Sequence, residues 1–125
     1  MGADQIAELR PPIAEVFDGA AAGEAWCATF SVTGHADRWI QVTRDSINVS
    51  YPQDRDPSGL LVELAVPPSA ALRVTSWEAT KFVTFAFSRH VSARDVAKVV
   101  DVLFESVLGC AGVDYSVDVE LHRDP

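Results

Sequence analysis

Asp54, Asp56, Ser58 and Gly59 read D-x-D-x-S-G, the opening of a calcium loop, in which oxygens at alternate positions ligate a cation around an obligatory glycine. The twelfth position of such a loop is Ala65, which has no carboxylate to chelate the ion, and the residues that follow read as a strand. The stretch is therefore taken as an Asp-Pro turn. His35, His90 and His122 fall at a turn, a strand end and the tail, a spacing that assembles no ligand set. Cys110 follows a helix carboxyl terminus, where the dipole disfavours a thiolate, and Cys27 alternates with core residues, so both read as structural thiols. Ser76 and Ser92 lack the G-x-S-x-G elbow of a nucleophile. Asp114, Asp118 and Glu120 share one outward strand face, where carboxylates keep an edge soluble. The expectation is a protein without catalytic residues, metal or cofactor.

The aromatic residues carry more information. Trp39, Trp77 and Phe82 are placed by alternation on strand faces opposite the main apolar stripe, and large apolar groups there mark a partner surface or a second core. Val83, Phe85 and Phe87 define the core side of the same strand, leaving Phe82, Thr84, Ala86 and Ser88 on a small, half-apolar face.

These residues need elements to hold them. Ile6, Leu9, Ile13, Val16 and Phe17 recur at helical spacing, but Pro11 and Pro12 predict two short helical turns rather than one rod, released over Gly19 and the small-residue stretch through Gly23. A strand follows over Trp26–Val32, a turn over Gly34–Asp37, and a hairpin through Ile40, Val42, Ile47, Val49 and Tyr51. Leu60, Val62, Leu64 and Val66 alternate as another strand, ended by Pro67-Pro68, and Leu72–Trp77 reads as a strand or extended edge. Ser92 caps one long amphipathic helix over 92–108, whose polar face carries Arg94, Lys98, Asp101 and Glu105 and which Gly109 closes. Val113 to Leu121 alternate strictly with polar residues as a terminal strand. The fold class is α+β, one domain over 1–125, with a mostly antiparallel sheet covered by the N-terminal helical turns and the long helix.

Composition narrows the partners. A net charge of −8 repels phosphate backbones and anionic lipid, so neither nucleic acid nor membrane is expected. The opening MGADQIAELRPP has no apolar leader and no long apolar run follows, which predicts a cytoplasmic protein.

Arg38-Trp39-Ile40-Gln41-Val42-Thr43 resembles the "RYVQF" strand of the actinobacterial TY-Chap proteins, peptide-binding chaperones related to type III secretion chaperones and the YbjN family. Leu72 to Glu78 is similar to that family's stretch ending in Gly-Trp, with Ser76 in place of the glycine. An aromatic strand, Lys81 to Phe85, and a helix ending Val107-Leu108-Gly109 follow in the same order, so the resemblance spans about Arg38 to Leu121. It implies a dimeric, non-catalytic domain holding a client polypeptide on a sheet surface. By transfer, Trp39, Gln41, Trp77 and Phe82 line or support that surface, with Arg38 and Thr43 as its polar rim. Two other classes stay open: a small-ligand-binding, cyclase-like domain, and a regulatory or structural homodimer with no other cargo.

Overall fold

The computed structural model describes residues 3–110 and 115–123. Helix α1 (Ala3–Ala21) leads to β1 (Trp26–Val32), β2 (His35–Val42) and β3 (Ser46–Ser50). A 3-10 turn at Pro57–Gly59 enters the short α2 (Leu60–Glu63), and a second at Pro68–Ala70 precedes β4 (Arg73–Glu78) and β5 (Phe82–Ala86). The long helix α3 (Ala93–Ser106) then crosses to β6 (Val117–Arg123). The strands form one antiparallel sheet in the order β4-β5-β3-β2-β1-β6. This is the expected α+β class.

Alternation builds the core. Ala28, Phe30, Ile40, Val42, Ile47, Val49, Val83 and Phe85 point to one side of the sheet and are fully buried there against Ile13, Val16, Val96, Val99, Val100, Leu103 and Phe104 of the helices. α1 packs along α3 and over β1. Ser92 caps α3 as expected, its hydroxyl accepting from the Asp95 N–H at 3.1 Å. Gly109 takes a positive φ of 78° past the last turn, and the Cys110 N–H donates back to the Phe104 carbonyl, the closure a left-handed residue permits.

Several expectations are corrected. α1 is one helix running through Pro11 and Pro12 to Ala21, not two short turns, and it ends within the expected Gly19–Gly23 stretch. The prolines remove donors, but Leu9, Ile13 and Val16 on one stripe are buried almost completely, and that tertiary packing outweighs the lost hydrogen bonds. The β1–β2 turn is tighter than expected, with His35 to Asp37 already inside β2. Leu60 to Val66 is not a strand. Asp56 accepts from the Ser58 N–H at 2.9 Å with Pro57 in the first turn, so the chain enters α2, where Leu60 and Leu64 are buried and Val62 is 89% exposed. That hydrogen bond also lowers the Asp56 carboxyl's pKa, and it gives the apparent calcium-loop aspartate a capping task. Asp101 leaves the polar face it was assigned to and is buried, because the Tyr115 hydroxyl reaches it. Val113 and Asp114 lie outside the described residues. β6 itself keeps the expected alternation, except that Val119 is 41% exposed on the helix side, beyond the reach of the helices. Among the described residues no helix is long and apolar enough to cross a membrane.

Candidate functional site

Because the helices gather on one side, the opposite side of the sheet is open. Cross-strand register aligns its side chains into rows. One row runs Asp118, Ser31, Trp39, Ser50, Phe82 and Glu78, and its neighbour runs Glu120, Thr29, Gln41, Asn48, Thr84 and Ser76.

In the first row Trp39 and Phe82 are half-buried and flank Ser50. The Ser50 hydroxyl accepts from the Trp39 N–H at 3.0 Å and donates to the Trp39 carbonyl at 3.2 Å, holding β2 against β3 one position beyond their backbone ladder. The second row is a line of amides and hydroxyls. Thr84 Oγ1 donates to Asn48 Oδ1 at 3.0 Å, and the Asn48 side-chain N–H donates to Gln41 Oε1 at 3.5 Å. Thr29 Oγ1, next in line, is shielded from solvent and has no hydrogen-bond partner. Strand spacing sets these groups ~4.8 Å apart, a ladder of polar groups that an extended chain can meet across the strands. Both rows begin in a carboxylate on β6, Asp118 and Glu120, while on β4 the first ends in Glu78 and the second in Ser76.

The structure brings Trp39, Gln41 and Phe82 onto this face, with Thr43 just beyond the end of β2 and its Oγ1 lying 2.8 Å from Ser46 Oγ. Trp77 and Arg38 belong elsewhere. A register shift between Val74 and Ser76 places Trp77 opposite Val83 on the helix side, where its ring meets Tyr51 edge-on with centroids 6.3 Å apart. Arg38 sits on the helix side at the carboxyl end of α3, lining a cleft of about 520 Å³ with Lys81, Tyr51 and Leu108, which Trp39 and Ser50 also border. There it counteracts the burial that raises the Cys110 thiol's pKa.

Beside Arg38 lies a titratable group the sequence did not single out. Tyr115 donates its hydroxyl proton to Asp101 Oδ1 at 2.6 Å, and burial followed by the Asp101 carboxylate raises its pKa far above the usual tyrosine range, so it stays a donor. Burial, and then the Asp101 carboxylate, also raise the Glu105 carboxyl. The only sequence signal for the pair was the four-residue spacing of Asp101 and Glu105. His35, His90 and His122 are exposed and apart, and no group of three metal-ligating side chains forms among the described residues. Comparison with protein-family models, curated proteins and solved structures finds no match.

Proposed function

We propose that this domain is a non-catalytic holder of an extended polypeptide, which lies across the open face of the sheet. The observation that carries the reading is the pair of adjacent rows on that face: Trp39 and Phe82 flanking Ser50, beside the Gln41–Asn48–Thr84 line of hydrogen-bonding groups. The rings supply apolar contact and the polar line pairs with peptide groups, while Asp118 and Glu120 at the β6 end favour a client that carries Lys or Arg there. The resemblance to peptide-binding chaperones points the same way. The hollows of about 530 and 520 Å³ at the sheet ends are open grooves rather than enclosed chambers, which favours surface holding over a small-ligand cavity.

A second reading has one specific observation behind it. Val119 is exposed on the edge strand β6, so a homodimer formed by pairing two β6 edges would bury it.

The test is fluorescence anisotropy against a panel of basic peptides with matched scrambled and acidic controls. Trp39→Ala with Phe82→Ala is expected to weaken binding by about tenfold or more while circular dichroism stays native. Unchanged affinity in that variant would refute the surface assignment.

A further inference from the structure

Three arginines from separate segments meet at the sheet end where β2 turns into β3. Arg44 stands in that turn, Arg73 begins β4, and Arg89 follows β5. A hollow of about 530 Å³ is lined by Arg44, Arg89, Thr43 and Ser46, and an adjoining one of about 360 Å³ by Arg73, Arg89 and Ser46. Asp45, Ser46 and Arg89 belong to both.

Charge makes this corner unusual in a chain of net −8. Two carboxylates share it. Glu24 is held by Arg123, which leaves Asp45 against the three guanidinium groups, a local balance of about +2. Among the described residues Arg55, Lys81, Lys98 and Arg123 have carboxylate partners, whereas Arg44, Arg73 and Arg89, like Arg10, Arg38 and Arg94, have none.

Arg44 is also set in place. Its guanidinium stacks over the Phe17 ring at 4.2 Å and donates through Nη2 to the Arg89 carbonyl. Its Nη1 is shielded from water and has no acceptor. A guanidinium fork suits oxyanions.

We infer that this corner binds a phosphate monoester, the dianion that matches the local charge and that the exposed guanidinium groups of Arg73 and Arg89 can hold beside Ser46. The group comes either from a phosphorylated side chain or from a small phosphorylated metabolite. The site lies at the sheet end, so it does not depend on peptide holding across the open face.

The test is a backbone amide NMR titration with inorganic phosphate at constant ionic strength, then with O-phosphoserine and with a sugar phosphate. Saturable shifts confined to residues 43–46 and 87–89 are expected. Arg73→Ala with Arg89→Ala, both solvent-facing, should weaken the response about tenfold, while Arg10→Ala with Arg94→Ala leaves it intact. The tighter organic ligand identifies the source. Linear, non-saturating shifts, or an equal response in the two double variants, would overturn the site.

Discussion

The Tyr115 hydroxyl donates to the buried carboxylate of Asp101 at 2.6 Å, tying the segment that leads into β6 to the middle of α3. The ring itself is seated on Phe104, with centroids 5.1 Å apart. Tyr115→Phe keeps that contact and strands an acceptor. It is expected to cost about 1–3 kcal/mol, seen as a lower urea midpoint with an unchanged slope. A midpoint equal to the parent's would mean that water replaces the hydroxyl.

Glu105 gives a pH dependence of known sign. Its carboxyl is raised above the ordinary value of 4.5 by burial and by the Asp101 carboxylate, so the fold prefers the protonated form. A raised acid contributes stability that is fully present below the unfolded value and is lost as pH rises through the folded one. Glu105→Gln should therefore match the parent near pH 4, and pull ahead in melting temperature above that window. Parallel melting curves across pH would contradict the assignment.

Gly19 lies inside α1, where alanine ordinarily gains about 1 kcal/mol over glycine. Here a Cβ would come within 2.1 Å of Trp26 Cδ1. Gly19→Ala is expected to destabilise by about 1–3 kcal/mol net, because the overlap outweighs helix propensity. Thermal melts read this directly, and a stabilised variant would show that Trp26 moves aside freely.

Ser92→Ala removes the side chain that accepts from the Asp95 N–H, and about 1 kcal/mol of stability should go with it. Ser92→Asp should restore most of that loss, since aspartate caps equally well and suits the helix dipole. Failure of the aspartate variant to recover would assign the loss to something other than capping.

α3 was legible because several signals agree there: Ser92 before the apolar run, the 3-4 spacing of the buried stripe, and Gly109 beyond it. β5 was legible from Val83, Phe85 and Phe87, all buried on one side. Leu60 to Leu64 was misread because four-residue spacing satisfies both strand alternation and a helix turn, and Asp56-Pro57 was the signal that decides between them. Trp77 went to the wrong face for a single reason. The shift after Val74 adds one residue, and period-two counting then flips every position beyond it. α1 shows the reverse weighting, with two prolines overridden by a deeply buried stripe. The Arg44, Arg73 and Arg89 corner had no sequence signal at all. Only the topology of loops distant in the chain brings those residues together.

Peptide holding on the open face is tested most directly by side-chain NMR of the domain titrated with the tightest peptide of the basic panel. The Trp39 indole N–H, the Gln41 and Asn48 side-chain amides and the Thr84 methyl should shift together and saturate at one affinity, while methyls of Val99 and Leu103 in the helix-covered core stay still. Shifts confined to the helix side of the sheet, or to the Arg38 and Lys81 cleft, would contradict it.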